Sequence, residues 1–258
     1  MPKRLIELIL FSTYAELRAE RARSYLGLAW WVLDPALMML TYWIVFDVFL
    51  HSGGPDYVPF LLIGLTLWQW MKSCMTHGVY AIWSNLVLIR QVRLPQLMFP
   101  VVAMLSDTVK FFCIFALLLV ILWSVGYPPN IAYLALPPLF FVVFLFGAGI
   151  GFVIAAVVPL LPDLRFVIEQ VLTAVMFLSG VVFSMSSLPP PWHRIMALNP
   201  VNVIMDASRD ILMHGQWPNW GALGHAALRF ERDTDVAQFN QHVVHVSPPV
   251  SDSAARGG

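Results

Sequence analysis

Five largely apolar stretches of this chain, at about residues 28–50, 58–82, 97–125, 134–161 and 167–183, reach or nearly reach the roughly 20 residues that carry a helix across a hydrocarbon layer about 30 Å thick. That feature leaves few ways to fold. In lipid, backbone N–H and C=O groups find no water, so a spanning segment has to satisfy them internally, as a helix or within a closed barrel. Continuous apolar runs of this length, without period-two alternation, select helices, and the expected fold is an all-α polytopic membrane bundle. Composition agrees: 59% of the residues are hydrophobic and 12% charged, against about a quarter charged in soluble domains. A layered soluble fold is excluded on that ground.

The loops between the stretches alternate in charge. Lys3, Arg4, Arg18, Arg21 and Arg23 precede the first span, Arg90 and Arg93 lie between the second and third, and Arg165 lies between the fourth and fifth. The loops 51–57 and 126–133 contain neither lysine nor arginine. Lys and Arg collect on the cytoplasmic side, so the N-terminus is expected to be cytoplasmic. Net charge is zero, and the basic residues sit at membrane flanks without forming a stripe, which argues against nucleic acid as a partner.

Residues 1–27 read as an amphipathic helix lying on the cytoplasmic membrane surface. Ile6, Leu10, Tyr14 and Leu17 recur at helical spacing, with Glu16, Glu20 and Arg23 on another face. Arg18, Arg21 and Arg23 give it a basic end. No cleavable leader is expected, because the charge leaves no compact apolar core there. Asp34–Pro35 is read as a helix start. Asp34, Lys72, Asp107 and Lys110 are charged groups at membrane depth, each costing about 2.5–3.5 kcal/mol at a helix centre, so they are expected to face protein or water. Asp107 and Lys110, three residues apart, are expected to pair along one helix face. Gly147 and Gly151 have the spacing that lets two helices approach closely. With Gly149 they resemble a nucleotide loop only on paper, since no strand precedes them.

Beyond the fifth span, Pro189 and Trp192 lead to Asn199 and Pro200, a cap followed by a residue suited to the first helical position. Val201, Ile204, Met205, Ser208, Ile211 and Leu212 form one face of a helix ending near His214, too short to cross. A re-entrant or interfacial segment on the external side, about 187–214, is expected, with Asp206, Arg209 and Asp210 toward water or a pore. Cys74 and Cys113 each fall in an apolar span and read as packing residues. The histidines show no metal-ligand spacing, no serine sits in a nucleophile elbow, and no phosphate loop occurs. The chain is expected to bind no cofactor or metal and to have no catalytic residues.

Several passages occur together in order: Tyr25–Trp31 with Asp34 and Pro35; Asn85, Leu86, Val87 and Arg93, Leu94, Pro95; Pro159, Asp163, Leu164, Arg165; Ser179–Phe183; and Leu188, Pro189, Trp192, Asn199, Pro200, Arg209. In these the chain resembles the permease subunit of an ABC-2 type exporter, in the group that moves lipid-linked O-antigen, capsule or teichoic acid polymers. The resemblance covers residues 1 to about 220. It implies a homodimer in membrane lipid above two copies of a separate ATPase that holds ATP and magnesium, exporting an undecaprenyl-type lipid-linked polysaccharide. It further implies that the N-terminal helix and a coupling loop carrying Asn85, Arg90, Arg93 and Pro95 meet the ATPase. Residues Pro189 to His214 would be the paired gate helices, and residues 28–215 the transmembrane domain.

In one respect the chain departs from that pattern. The family has a sixth span after the gate segment, whereas residues 216–258 are mostly polar and read as a disordered tail. A natural variant, a truncated paralogue and a reading-frame error each account for this, the last two being preferred. Two other functions stay open: an ABC-2 permease for a small hydrophobic drug or lipid, and a membrane-bound enzyme or scaffold.

Overall fold

A computed structural model describes residues 2–23, 29–49, 56–84, 98–158, 163–183, 199–221 and 223–224. Every regular element among them is a helix: α1 (Pro2–Arg23), α2 (Ala29–Trp43, continuing as a π turn Ile44–Phe49), α3 (Tyr57–Ser84), α4 (Met98–Val125), a 3₁₀ turn (Ile131–Ala135) leading into α5 (Leu136–Val157), α6 (Leu164–Leu178) and α7 (Pro200–Arg209, continuing as a π turn Asp210–His214). Of these, α4 and the segment Ile131–Ala155 combine the length and hydropathy of a membrane crossing. At 28 residues, α3 is as long as α4, about 42 Å at 1.5 Å per residue, with Gln69, Lys72 and His77 breaking its apolar run.

The centre of the bundle is α3. From Leu61 to Met71 every residue except Gln69 is buried, the behaviour of a helix surrounded by others. An aromatic stack joins it to α4 and α5. Trp70 lies flat on Phe111, with ring centroids 4.0 Å apart, and Phe140 of α5 meets Phe111 edge-on at 5.2 Å. Such pairs contribute about 0.5–1.5 kcal/mol beyond their buried area. One turn further along, α3 touches α5 through glycine. A Cβ on Gly151 would stand 2.8 Å from the Cys74 carbonyl oxygen and 2.7 Å from Met104 Cε, and one on Gly147 would stand 3.3 Å from Cys74 Cβ. The two glycines thus lie on the α3-facing side of α5, where the missing side chains let the backbones approach.

α1 packs on α4 by its polar side. Thr13 is buried, Glu16 and Glu20 reach α4 side chains, and Ile6, Leu10 and Tyr14 stay exposed. An outward apolar stripe on a helix held to the protein by its polar face suits an apolar medium.

Three boundaries differ from the sequence reading. Asp34 and Pro35 sit one to two turns inside α2, which begins at Ala29; helix geometry persists through the one hydrogen bond that proline cannot donate. α6 stops at Leu178, where Gly180 turns left-handed at φ 65°, so its 15 residues reach only about 22 Å. α5 ends at Val157, short of residue 161. Of the tail expected to be disordered over 216–258, residues 216–221 and 223–224 are described, with helical residues at 220–221 and 223–224 and Leu223 buried; the residues beyond 224 lie outside the described ones.

Gly151→Ala would push a methyl group to 2.8 Å from a backbone carbonyl, whereas Gly147→Ala meets the Cys74 Cβ at 3.3 Å and the Met71 carbonyl at an ordinary 3.6 Å. The expected result is a lower thermal midpoint for Gly151→Ala, from overpacking of about 1–3 kcal/mol, and a smaller drop for Gly147→Ala. Unfolding of the detergent-solubilised variants, followed by tryptophan fluorescence, measures both.

Candidate functional site

Two polar junctions hold the bundle at opposite ends of α3. At the α7 end the junction is built around Arg209. Asn199 caps α7 by accepting from the Val201 amide (3.0 Å) and donates to the Ser179 hydroxyl (2.8 Å). That places α7 across the end of α6. Arg209 lies on the inward face and is 3% exposed. Its guanidinium donates to the carbonyls of Gly180 (2.8 Å), Val181 (2.9 Å) and Phe60 (3.4 Å) and lies 3.4 Å over the Phe60 ring. Asp206, one turn back, stands 3.7 Å away.

The Gly180 and Val181 carbonyls have no helical partner because α6 has just ended, and a planar fork of donors suits two adjacent oxygens. Gly64 makes the room: a Cβ there would stand 2.7 Å from Arg209 Nη2. Tyr57 adds a bond from its hydroxyl to the Val182 carbonyl (3.0 Å). Below α7, Asn130 donates to the Ile211 carbonyl (3.2 Å). In the adjoining 126–133 loop, Tyr127 donates to Asp56; burial, followed by that bond, pushes its phenol up to about 12.

The expectation that Arg209 faces water is therefore corrected. Asp206 and Asp210 are part-exposed, at 44% and 42% of their side chains, while Arg209 is inside, because its partners are backbone oxygens. The rest of α7 falls as its pattern predicts, with Val201, Ile204, Met205, Ser208, Ile211 and Leu212 all buried.

At the α1 end the junction is built around Asp107, whose side chain is 4% exposed. His77 Nδ1 lies 2.8 Å from it and Lys110 Nζ 3.5 Å. Lys110 comes closer to Glu20 of α1, at 2.6 Å, and Ser106 donates to Glu16 at 3.0 Å. The Asp107–Lys110 contact along α4 is thus one part of a group joining α1, α3 and α4. A carboxylate this buried is tolerable only with charged or hydrogen-bonding company, which His77 and Lys110 supply, while Glu20 holds Lys110 from α1; His77 and Glu20 are the members that the α4 spacing does not contain. Neither stood out in the sequence as a partner. Glu20 lies 90 residues before Lys110, and a helix pattern reports only neighbours three and four positions away.

The remaining candidates are placed as follows. Lys72 is partly buried on α3, and Arg18 and Arg21 are exposed on α1. The side chains of Arg23 and Asp34 lie outside the described residues, as do Asn85, Arg90, Arg93, Pro95, Pro189 and Trp192. Among the described residues no group of three or more His, Cys, Asp or Glu side chains is placed to hold a metal ion.

Each junction has its test. Arg209→Lys replaces the fork by one ammonium and strands at least one buried carbonyl, so stability is expected to fall by about 1–3 kcal/mol, read from the unfolding midpoint; an unchanged midpoint contradicts the assignment. Glu16→Ala with Glu20→Ala is expected to free α1, seen as faster trypsin cleavage after Arg18 and Arg21 in membrane vesicles open to the protease.

The sequence that folds this way has relatives among known proteins. Residues 7–213 match the model of the ABC-2 type transporter family. The chain is 24% identical over 214 residues to an O-antigen export system permease protein RfbA of Klebsiella pneumoniae, covering 82% of each. It is 26% identical over 206 residues to the RfbA of Myxococcus xanthus, covering 79% of each. It is 24% identical over 216 residues to the polysialic acid transport protein KpsM of Escherichia coli, covering 83% of this chain and 84% of that one. With the family's match running from α1 to the end of α7, this chain belongs to the ABC-2 type transporter family.

Proposed function

We propose that this chain is the permease subunit of an ATP-driven exporter that carries a lipid-linked polysaccharide, such as O-antigen or capsule, across the bacterial inner membrane. The observation that carries the reading is the agreement among relatives: the O-antigen export permeases and the polysialic acid transport protein each align over about four-fifths of their length. Membership of a transporter family sets aside the enzyme and scaffold alternative.

In this reading the chain works as a homodimer, with two copies of a separate ATPase holding ATP and magnesium. The carrier is an undecaprenyl-type lipid. The N-terminus is cytoplasmic, as the basic loops require, so the α1 junction lies at the cytoplasmic face and the α7 junction at the external face. Residues 28–215 form the transmembrane domain with five crossings. The loop carrying Asn85, Arg90, Arg93 and Pro95, together with Arg18, Arg21 and Arg23 of α1, meets the ATPase. Residues 187–214 form the external gate segment, with Pro189 and Trp192 leading in and Arg209 securing α7 to the bundle.

Deleting the coding sequence in its host is expected to abolish surface polysaccharide and to accumulate lipid-linked polymer inside the cell, measured by surface immunostaining and by analysis of extracted glycolipid. An ATPase should co-purify with the tagged chain. Unchanged surface polymer in the deletion strain refutes the reading.

A further inference from the structure

Lys110 is one ammonium shared by two helices. It lies 2.6 Å from Glu20 of α1 and 3.5 Å from Asp107 of its own helix. Glu16 meets Ser106 and Glu20 meets Lys110, a step of four residues on each helix, so α1 runs parallel to α4 along this contact. Asp107, with its side chain 4% exposed, cannot turn to water and draws on the cations around it. His77 decides how much of Lys110 it needs. The carboxylate only accepts, so the imidazole donates from Nδ1 at 2.8 Å, and the proton that comes and goes is the one on Nε2. That ring is reachable. Its side chain is 50% exposed and borders a cavity of about 210 Å³ between α2, α3 and α4, which Gln69, Ser73, Glu20 and Lys110 also line and which has room for several waters.

The charged and titratable groups around the ring, among the described residues, are few. α4 presents Asp107 and Lys110, and α1 presents Glu20, with Glu16 beyond it on Ser106. On α3 itself Lys72 falls on another face, the Cys74 thiol is buried, and Tyr80 donates to Glu169 of α6, with Arg165 nearby. α5 has no charged residue, and α2 lines the cavity with Trp30 and Met38.

With His77 neutral, three carboxylates share one ammonium. Protonation sets a second cation against Asp107 and leaves Lys110 to Glu20. Docking brings Glu16 and Glu20 up to the cluster, so docking and protonation favour each other. By linkage α1 is held tightest below the titration range of histidine, which ordinarily lies between about pH 5 and 8, and more weakly as pH rises through it.

We infer that His77 is a positioning residue whose protonation sets how firmly α1 is held on α4, a proton-sensitive latch at this end of the bundle. That the latched helix is the one facing the cytoplasm and the ATPase rests on the export reading above.

Ser12, part-buried at the edge of the contact, takes the probe: Ser12→Cys carrying a nitroxide, in a Cys113→Ala background, with the full chain and its ATPase in lipid nanodiscs. The Glu16→Ala, Glu20→Ala pair supplies the spectrum of released α1. From pH 6 to pH 8 the docked-to-released ratio is expected to fall by about fivefold or more, along a one-proton curve. His77→Gln keeps a hydrogen bond to Asp107 and no charge, and is expected to give at every pH the ratio that the unaltered ring gives at pH 8. A ratio that does not change with pH in the protein carrying His77, a ratio that rises, or a pH response that survives in His77→Gln overturns the assignment. A ring that only packs would lower the ratio on replacement without flattening the profile. The first titration needs no change at His77, so it decides even where the variant does not fold. Export is not read in it: a flat profile leaves the export reading standing, and surface polymer that survives deletion of the chain refutes that reading whatever the titration gives.

Discussion

In an apolar surrounding a polar group has to find its partner within the protein, and that requirement decides where these helices end and what they touch. The end of α6 is the clearest case. Its last carbonyls cannot be left to lipid, and the left-handed turn at Gly180 would expose them. Arg209 answers both needs, donating to Gly180 and Val181 at 2.8 and 2.9 Å while its flat face rests on Phe60 at 3.4 Å. Once that contact is made, Gly64 can carry no side chain, α7 must lie across α6, and Asn199 falls within reach of Ser179. A single cation therefore determines the register of three elements.

Much of this order was legible in the sequence. The bounds of α3 and α4, the Asn199 cap, the buried face of α7 and the closely packed glycines follow from local patterns, each read within one helix. The burial of Arg209 was not legible, because its partners are backbone oxygens, which no residue type announces. The shortness of α6 was hidden by the apolar run through Val181, Val182 and Phe183: hydropathy reports what lipid would accept and says nothing of a left-handed glycine that ends the helix first. Likewise, the Asp107–Lys110 spacing predicted an ion pair along α4. Glu20 as the closer partner, at 2.6 Å, depends on how α1 packs, and helix periodicity carries no information on that.

The two junctions share α3. Tyr57, Phe60 and Gly64 serve the Arg209 junction near its start, and His77 serves the Asp107 junction near its end. Between Phe60 and His77 the helix advances about 25 Å as one buried element, stacked through Trp70 on Phe111 and seated on Gly147 and Gly151 of α5. Close packing of this kind resists compression, so a displacement of one end is borne by the whole helix or by its contacts.

That geometry bears on what the junctions can do. An ion pair such as Glu20–Lys110, with its carboxylate 42% exposed, contributes little to stability by itself, yet it fixes where α1 sits against α4. Arg209 is the opposite case, almost wholly desolvated, where loss of any one acceptor leaves the others and the charge poorly satisfied. The α1 end is thus the one that can be released at small cost, and the α7 end the one that holds. A bundle built this way yields first at α1, the surface assigned above to the ATPase, while the segment assigned to the gate keeps its attachment to α3 and α6. Any rearrangement that moves α7 has to carry Gly180, Val181 and Phe60 with it or find Arg209 new oxygens in the same step.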